Sequence, residues 1–432
     1  MDKETITASK ALRGSTTVPG DKSISHRAVM FGAIAHGRTT VSGFLDGEDC
    51  RRTIACFQKM GVAIQYDQTL GTVVIDGRGM EGLNEPSELL DVGNSGTTIR
   101  LMLGILAGRP YFSVVAGDES IAKRPMARIT EPLRSMGAQI HGRRNGTYTP
   151  IAIPGGGNKL TGIEYSLPVA SAQVKSAILL AGLQAEGKTT VREEYRSRDH
   201  TERMLQAFGA RVDVSGNEVS VSGGQTLQAR DVEIPGDISS AAFLLAAASI
   251  VKDSCLRIKN VGVNPTRTGI IEALVAMGGD VTFENERTLS GEPVADIMVR
   301  EKTLHGATIS GSLIPRLIDE LPVLAVIATQ AKGRTVIKDA AELKFKETNR
   351  IDTTAKQLRQ LGAQIQATED GFIIEGPTPL TGAEISSYND HRIGMAFTIA
   401  GLIAKGETTI HGARAAAVSF PKFYTTLRLL ND

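Results

Sequence analysis

A long apolar segment with helical character recurs six times along the chain. Its copies begin at Ser25, Thr97, Ser171, Ser239, Glu320 and His391. In the first copy Ile24, Ala28 and Phe31 follow helical spacing, and most of the others are apolar nearly all round, which is typical of a helix buried inside a domain. A short strand-like run follows each copy, such as TTVSG after the first and TTIHG after the last. This recurrence predicts a chain of six similar α/β units.

A glycine between a helix-like segment and a strand-like segment forms a second repeated mark. The mark reads MGVAI, MGAQI, FGARV, MGGDV and LGAQI, and its glycines are Gly61, Gly137, Gly209, Gly278 and Gly362. Glycine just after a helix readily takes the left-handed conformation that ends it. The interval of roughly 70 to 80 residues is longer than that of solenoid repeats, so we expect α/β subdomains in two groups of three, the sixth being shorter.

The tripeptide Pro-Gly-Asp occurs at Pro19 and again at Pro235, half the chain apart. Each copy precedes an apolar helix-like segment, so it marks the start of one half. We therefore predict one domain of residues 21–235 and another of residues 1–20 plus 236–432. The strand-like run STTV before the first copy is expected to pair with the second half.

The composition limits the classes of function. At 432 residues the chain is long enough for more than one hydrophobic core. A net charge of +1 and an aromatic content of 4% without Trp argue against a broad nucleic-acid surface. Three cysteines without a CxxC pair indicate no zinc site and a reducing compartment. The apolar runs are shorter than the about 20 residues of a membrane span, and no signal peptide is visible, so we expect a cytoplasmic protein.

Basic residues gather near the starts of the predicted buried helices. They are Lys22, Arg27, Arg100, Lys123, Arg124, Arg198, Lys346, Arg350 and Arg392. Any one of them is more commonly a solvated surface charge, but their recurrence at corresponding places favours a site. Helix N-termini attract anions, and arginine binds carboxylate and phosphate with two parallel hydrogen bonds. The pattern therefore indicates a small substrate with more than one negative group.

Two acids stand among these cations, Asp319 and Glu347. The spacing of Lys346 and Arg350 predicts that both lie on one helical face, as does that of Ser23 and Arg27. A carboxylate held among cations stays ionised and can accept a proton from a hydroxyl, while a second acid can donate one. Either acid could equally be a helix cap or a surface partner, and the spacing does not assign the two roles.

Eight motifs together resemble the 5-enolpyruvylshikimate-3-phosphate synthase family. They read PGDKSISHR, GNSGTTIR, GDESIAKRPM, PVASAQVKSA, SRDHTERML, IDELPVLA, KETNR and DHRIGMA, in the family's order and over essentially the whole chain. SRDHTE, KETNR and DHRIGMA are more similar to the bacterial variety called class II. The resemblance implies an α/β fold of two domains, each with three βαβαββ units and buried helices, an inside-out α/β barrel with the active site in the cleft between the domains.

The resemblance also implies a reaction of the shikimate pathway, which leads to chorismate and the aromatic amino acids. The enolpyruvyl group of phosphoenolpyruvate passes to the 5-hydroxyl of shikimate 3-phosphate through a tetrahedral intermediate, and phosphate is released. Neither a metal nor an organic cofactor is implied. The expected partners are these two small molecules and the inhibitor glyphosate, with no nucleic acid or membrane, and the expected state is a monomer.

Residue roles carry over from the motifs. The implied contacts to shikimate 3-phosphate are Lys22, Ser23, Arg27, Ser171, Ala172, Gln173, Arg198, Asp319 and Lys346. Those to phosphoenolpyruvate are Lys22, Asn94, Gly96, Arg124, Gln173, Glu347, Arg350 and Arg392. Asp319 would remove the hydroxyl proton, while Glu347, with Lys22, would protonate the methylene carbon. Val418 stands where family members often have Lys, and Glu342 where some have Asn, so one phosphate contact and the role of Glu342 stay open.

Three alternatives accompany this interpretation. The sister enzyme that uses UDP-N-acetylglucosamine shares the six-unit fold, but its loop cysteine within a PGGCxIG-type sequence is missing, since the corresponding region reads GDESIAKRPM. A nucleic-acid-binding or RNA-end-processing protein built on similar repeats is disfavoured by charge and aromatic content. A non-catalytic protein that binds phosphorylated metabolites would use the same residues.

Overall fold

A computed structural model describes residues 2–156 and 159–431 of the chain. The chain divides into two compact units, one formed by Met1–Asp21 with Pro235–Asp432 and the other by Lys22–Ile234. Each unit has its own hydrophobic core. None of the helices in these described ranges combines the length and the apolarity needed to cross a membrane.

Secondary structure alternates between helices and short strands in both units. The helices of the unit Lys22–Ile234 are α1 (Lys22–Ile34), α2 (Glu48–Lys59), α3 (Gly96–Leu106), α4 (Glu119–Lys123), α5 (Ala127–Ser135), α6 (Arg143–Gly146), α7 (Ala172–Gly182) and α8 (His200–Ala207). Those of the other unit are α9 (Ile238–Ile250), α10 (Gly269–Ala276), α11 (Ile314–Leu317), α12 (Leu321–Ala328), α13 (Arg350–Gln360), α14 (His391–Gly401) and α15 (Phe423–Asn431).

The strands are numbered in chain order. Before Lys22 come β1 (Lys3–Ile6) and β2 (Arg13–Thr17). The unit Lys22–Ile234 has β3 (His36–Ser42), β4 (Ala63–Asp67), β5 (Thr72–Arg78), β6 (Leu90–Asp91), β7 (Ser113–Ala116), β8 (His141–Gly142), β9 (Tyr148–Ile153), β10 (Glu164–Ser166), β11 (Lys188–Arg192), β12 (Val212–Ser215), β13 (Glu218–Ser222) and β14 (Val232–Glu233). After Pro235 come β15 (Cys255–Gly262), β16 (Asp280–Leu289), β17 (Glu292–Arg300), β18 (Thr308–Ile309), β19 (Gly333–Ile337), β20 (Gln364–Ala367), β21 (Phe372–Gly376), β22 (Glu384–Ser386) and β23 (Thr408–His411).

Within residues 2–156 and 159–431 the strands pair into six sheets, one for each predicted unit. The four-stranded orders are β14-β3-β5-β4, β6-β7-β9-β8, β10-β11-β13-β12, β16-β17-β15-β2 and β18-β19-β21-β20. Each sheet contains one parallel pair, for example β18 with β19, and its other pairs are antiparallel. A parallel pair needs a crossover, and the buried helix α12 provides it here. The six-unit prediction is therefore confirmed.

The N-terminal segment supplies strands to the last part of the chain. The predicted pairing of STTV is present, since β2 pairs in parallel with β15. The sequence did not reveal β1, which pairs antiparallel with β23 and thereby completes the short sixth sheet, β1-β23-β22. The structure describes no strand between β23 and residue 431, and the sixth repeat takes its third strand from the N-terminal segment.

The six apolar segments form α1, α3, α7, α9, α12 and α14, whose residues are almost all buried. In α1 the burial extends to polar residues, because Ser25, His26 and Arg27 are buried together with the apolar ones. The ring nitrogen Nδ1 of His26 lies 2.7 Å from the hydroxyl of Thr53 on α2. Internal hydrogen bonds of this kind offset the loss of solvent that burial imposes.

The five repeated glycines follow the helices α2, α5, α8, α10 and α13, and all have positive φ angles. The values are 83° at Gly61, 101° at Gly137, 92° at Gly209, 87° at Gly278 and 91° at Gly362. Their predicted role as helix ends is confirmed.

The two Pro-Gly-Asp loops pair with each other. The backbone N–H of Asp21 donates to the carbonyl of Pro235 at 2.8 Å, and that of Asp237 donates to the carbonyl of Pro19, also at 2.8 Å. The guanidinium of Arg267 lies 3.4 Å from the Asp21 carboxylate and 3.3 Å from that of Asp237. All three side chains are buried, and burial together with the neighbouring Asp21 raises the pKa of Asp237. The two copies of the tripeptide are therefore joined by backbone hydrogen bonds and by the ion pairs that Arg267 makes with both aspartates.

Candidate active site

Lys22 is the first residue of α1, and its ammonium group faces a carboxylate. Its Nζ atom lies 3.1 Å from Oδ2 of Asp49 in the first turn of α2, a partner that the sequence did not reveal. Asp49 is buried, whereas Lys22 keeps part of its surface exposed. The pair fixes the lysine at the start of a buried helix while leaving its side chain partly accessible.

Arg27 connects three helices. Its Nε donates to the hydroxyl of Thr201 on α8 at 2.7 Å, and its Nη2 donates to the hydroxyl of Ser176 on α7 at 3.0 Å. Its Nη1 donates to the backbone carbonyl of Ser23 at 3.0 Å, which agrees with the predicted shared face of these two residues. The guanidinium is therefore held in a fixed orientation on the helix that begins with Lys22.

Gly96 lies where two guanidinium groups approach the backbone. It is the first residue of α3, after Asn94 and the capping residue Ser95. A Cβ atom at Gly96 would lie 3.0 Å from Nη1 of Arg100 and 3.2 Å from Nη1 of Arg124. The structure thus brings Gly96 and Arg124 together and adds Arg100 to them.

The first turn of α7 carries another group of predicted residues. Ser171 precedes the helix, and Ala172 begins it. The side-chain oxygen of Gln173 accepts a hydrogen bond from Arg100, and its nitrogen donates to the hydroxyl of Thr97 at 3.0 Å. This links the start of α7 to the start of α3. Arg198 lies in the segment between β11 and α8 and is partly exposed.

In the other unit, Asp319 binds two of the predicted cations through one oxygen. Its Oδ1 lies 2.9 Å from Nζ of Lys346 and 3.3 Å from Nη1 of Arg350. Nη2 of Arg350 lies 2.5 Å from Oε2 of Glu347. The two acids are therefore bridged by a single guanidinium. Neither is the capping residue of the helix that follows it, since Glu320 precedes α12 and the side chain of Asn349 caps α13.

One local expectation was wrong. Lys346 and Arg350 do not share a helical face, because α13 begins only at Arg350. Lys346 lies before it, immediately after the 3-10 helix Ala341–Phe345, which contains Glu342. An asparagine cap interrupts the helical path between them, and their common partner Asp319 brings the two cations together instead.

Asp390 is a residue of this cluster that sequence reasoning missed. Its carboxylate accepts from Nε and Nη2 of Arg350 at 2.9 and 3.1 Å and from the hydroxyl of Thr348 at 3.0 Å. It also caps α14 by accepting from the backbone N–H of Arg392 at 2.9 Å. Burial lowers the pKa of Arg350, but Asp390, Glu347 and Asp319 together raise it above its usual value, so the guanidinium stays charged. The only signal in the sequence was an aspartate at the predicted start of a helix.

Arg392 is held on the same helix start. Its Nη1 donates to the backbone carbonyl of Ser239 at 3.2 Å and lies 3.6 Å from Oε1 of Glu320. Its guanidinium stacks over the ring of Phe243, 5.9 Å from the centroid. Val418, the departure from the family pattern, ends the 3-10 helix Ala413–Val418.

The two clusters have different chemical capacities. The cluster near α1, α3 and α7 contains the cations Lys22, Arg27, Arg100 and Arg124. The start of α3 carries no side chain at Gly96, so this cluster suits the binding of small anions. The one around Asp319 adds two carboxylates to its cations, so it can also move protons. Among the residues that the structure describes, no group of three His, Cys, Asp or Glu side chains is arranged to hold a metal ion.

Known proteins are similar to this chain over nearly its whole length. The family model described as EPSP synthase (3-phosphoshikimate 1-carboxyvinyltransferase) matches residues 6–427. A protein from Brevibacillus brevis named 3-phosphoshikimate 1-carboxyvinyltransferase is 60% identical over 422 residues, which is 98% of each chain. A Bacillus cereus protein of the same name is 59% identical over 431 residues, covering 100% of both chains. The solved structure of EPSP synthase from Acinetobacter baumannii has a TM-score of 0.89 and 48% identity, covering 100% of this chain and 98% of its own.

Proposed function

The chain belongs to the EPSP synthase family, and from that premise we propose how its residues divide the work of the family's reaction. It is an enzyme of the shikimate pathway that transfers the enolpyruvyl group of phosphoenolpyruvate to the 5-hydroxyl of shikimate 3-phosphate and releases phosphate. The likeness to the solved EPSP synthase confirms the predicted enolpyruvyl transferase fold.

We infer that shikimate 3-phosphate is bound mainly by residues of the unit Lys22–Ile234. The proposed contacts are Lys22, Ser23, Arg27, Ser171, Ala172, Gln173 and Arg198, with Asp319 and Lys346 from the other unit. The contacts of Arg27 with Ser176 and Thr201 support this assignment, because they orient its guanidinium beside the start of α7. These hydroxyl groups fix the orientation of the guanidinium, and a guanidinium held in one orientation can bind a phosphate group with parallel hydrogen bonds.

Phosphoenolpyruvate is bound by a second set of residues. These are Lys22, Asn94, Gly96, Arg124, Gln173, Glu347, Arg350 and Arg392. The approach of Arg100 and Arg124 to Gly96 supports the assignment, since a helix start flanked by two guanidinium groups fits an anion and leaves little space for a side chain. Arg100, which the sequence did not assign to either substrate, joins this set.

The proposal depends most on the Asp319 carboxylate, which Lys346 and Arg350 contact through one oxygen. Two cations stabilise its ionised form, so Asp319 accepts the proton of the attacking 5-hydroxyl. Glu347, with Lys22, protonates the methylene carbon of phosphoenolpyruvate. The 5-oxygen bonds to the central carbon, which gives the tetrahedral intermediate. Phosphate then leaves while the surrounding cations stabilise its charge, and the new methyl group returns a proton to the acid that supplied it, which restores the carbon–carbon double bond.

Both substrate sets draw on residues from the two predicted domains, 21–235 and 1–20 plus 236–432. We therefore propose that the active site is the cleft between these domains and that substrate binding closes it. Closure would exclude water from an intermediate that hydrolysis would otherwise destroy.

The protein is further proposed to act as a monomer in the cytoplasm, without a cofactor. None of its three cysteines, all in the described part of the chain, forms a disulfide bond, a state that a reducing compartment maintains. Light scattering during size-exclusion chromatography tests the monomer, for which the mass should equal the 45.9 kDa of one chain. Unchanged activity in excess EDTA tests the absence of a required metal.

Release of phosphate on mixing the protein with shikimate 3-phosphate and phosphoenolpyruvate is the central test. We expect release with this pair and none when UDP-N-acetylglucosamine replaces shikimate 3-phosphate or when either substrate is omitted. Release only with UDP-N-acetylglucosamine would show that the protein has the activity of the sister enzyme instead. Binding of shikimate 3-phosphate without any release would leave a non-catalytic binding protein.

A further inference from the structure

A lysine and two glutamates are buried together in the unit Lys22–Ile234, and none of them has a role in the proposed reaction. Nζ of Lys175 lies 2.7 Å from Oε2 of Glu193 and 2.7 Å from Oε1 of Glu202. The side chains are 0%, 1% and 3% exposed, respectively. We call these three residues the Lys175 cluster. Burying charges costs free energy even when they are paired, so such a cluster is weak evidence for stability and raises the question of what else it does.

Glu193 fixes the segment that carries Arg198. One oxygen of its carboxylate accepts from the backbone N–H of Ser197 at 3.2 Å, and the other accepts from the Ser197 hydroxyl. Nζ of Lys175 also donates to the backbone carbonyl of Ser197 at 3.4 Å. The donor and acceptor groups of Ser197, the residue directly before Arg198, are thus all bound by the Lys175 cluster.

Lys175 ties this segment to the start of α7. It lies two residues after Gln173, and its backbone N–H donates to the carbonyl of Ser171 at 3.0 Å. The Lys175 side chain therefore extends from the turn that holds Ser171 and Gln173 to the segment that holds Arg198. A buried ion pair thus joins two segments that are both assigned to the same substrate.

Glu202 extends the connection to α8. It follows Thr201, whose hydroxyl accepts from Arg27 at 2.7 Å and lies 2.6 Å from the hydroxyl of Ser176. Burial lowers the pKa of Lys175, but Glu202 and Glu193 together raise it above its usual value, so the lysine stays charged. The buried charges thus join α7 to the segment that carries Arg198 and to α8, whose Thr201 contacts Arg27.

We propose that Lys175, Glu193 and Glu202 are positioning residues for shikimate 3-phosphate. They hold the first turn of α7 and the segment Ser197–Arg198 at the mutual distance that lets both contact one substrate. The inference rests on the proposed function, which assigns Ser171, Gln173 and Arg198 to that substrate. Groups that must be held within a fraction of an ångström need supporting partners of this kind. Gln173 is also assigned to phosphoenolpyruvate, but the other contacts of that substrate lie on other elements, so the effect should be much larger for shikimate 3-phosphate.

Glu193→Gln tests the proposal with a neutral side chain of the same shape. We expect the KM for shikimate 3-phosphate to rise at least about tenfold, as for the loss of a charge-assisted contact, with the KM for phosphoenolpyruvate changed less than about twofold. Glu186→Gln is the matched control, because Glu186 pairs with Lys159 at 2.6 Å on the surface of the same unit. That variant should match the wild type in both constants.

A variant that no longer folds must be distinguished from one that folds but no longer holds the contacts to shikimate 3-phosphate in place. Lys175→Met leaves two buried carboxylates without a cation and is expected to destabilise the unit. Ser197→Ala instead leaves all three charges paired and removes one hydroxyl, so its Tm should fall by only a few degrees. It should stay folded at the assay temperature and still raise the KM for shikimate 3-phosphate severalfold. Direct calorimetric titration with shikimate 3-phosphate gives the same comparison without turnover.

The outcomes are distinct. Folded Glu193→Gln and Ser197→Ala proteins that bind shikimate 3-phosphate as tightly as the wild type would overturn the proposal. Equal losses for both substrates, in proportion to the folded fraction, would show a purely structural role and would overturn it too. The proposed function is tested separately by phosphate release from the wild-type protein, which is measured first.

Discussion

At the scale of single residues, the most informative feature is the carboxylate of Asp319 with two cations on one oxygen. Asp319→Asn keeps the shape and removes the proton acceptor. We expect kcat to fall by about 10²- to 10⁴-fold, the usual contribution of a general base, with only modest changes in both KM values. Steady-state kinetics of phosphate release measure this.

The exposed Asp213 provides a matched control for that change. It lies 3.7 Å from Lys188 with most of its side chain in solvent, so Asp213→Asn should keep wild-type kinetics. If Asp319→Asn kept its turnover, Asp319 would be only a structural partner of Lys346 and Arg350. A different residue would then have to accept the hydroxyl proton.

Gly96 allows a second prediction at this scale. An added methyl group would meet Arg100 at 3.0 Å and Arg124 at 3.2 Å, so Gly96→Ala narrows the space between these guanidinium groups and the helix start. Glyphosate should inhibit the wild type in competition with phosphoenolpyruvate, and its inhibition constant should rise at least about tenfold in Gly96→Ala, since overpacking a tight site usually costs about 1–3 kcal/mol.

The KM for shikimate 3-phosphate serves as the internal control for Gly96→Ala and should change little. Equal glyphosate inhibition constants for the two proteins would contradict the assignment of Gly96 to the phosphoenolpyruvate set. So would inhibition that competes with shikimate 3-phosphate.

The residues of the site were predictable to different degrees. Basic residues near helix starts could be found from the sequence because capping and apolar patterns locate those starts. Asp390 could not, because an aspartate that caps a helix looks the same whether or not an arginine from another element also binds it. The position of Lys346 was misjudged for a related reason, since Asn349 starts a new helix that spacing alone does not reveal.

At the scale of elements, the five glycines that end helices give a clear test. Gly209 has a φ of +92° and no atom within 4 Å of where a Cβ would be, so Gly209→Ala is penalised by backbone conformation alone. We expect a loss of about 1 kcal/mol in the free energy of unfolding, and a Tm lower by about 2–4 °C for a unit of this size. Calorimetry measures both.

Gly209→Asn is the control, because asparagine tolerates positive φ better and should lose less stability than alanine. Phosphate release well below the Tm should be the same for all three proteins. Equal stability of Gly209→Ala and the wild type would show that the helix end adopts another conformation without strain.

Helices and sheets were predictable from periodicity because the same pattern occurs six times, and each copy supports the others. The partners of the N-terminal strands were harder. That β2 pairs with the second half followed from the position of the Pro-Gly-Asp loop, although its partner β15 did not, and β1 is four residues long and at most half-buried. A strand that short has no pattern of its own, and its partner β23 is nearly the whole chain away.

At the scale of the whole molecule, the chain exchanges strands between its halves. A strand precedes each Pro-Gly-Asp loop and a buried helix follows it, and the two belong to different units. At the first loop β2 pairs with β15, while α1 belongs to the unit Lys22–Ile234. At the second loop β14 pairs with β3 in that unit, while α9 belongs to the other. The paired loops with Arg267 between them are thus the places where the chain passes from one unit to the other. The sequence repeat at Pro19 and Pro235 has a structural reason.

Closure upon binding is the prediction that concerns the molecule as a whole. A ligand shifts a conformational equilibrium only when it makes different contacts in the two states. If shikimate 3-phosphate contacts Ser23 and Arg27 of one unit together with Asp319 and Lys346 of the other, it stabilises the state in which both pairs reach it. Small-angle X-ray scattering should then show a radius of gyration that falls on binding towards the about 22 Å of a single compact body of this length.

Lys346→Met is the informative variant, because it should still bind shikimate 3-phosphate through the first unit while closing less. Saturating shikimate 3-phosphate that leaves the wild-type radius unchanged would show that the bound substrate is held by one unit alone, and the contacts assigned to Asp319 and Lys346 would then have to form only after phosphoenolpyruvate binds.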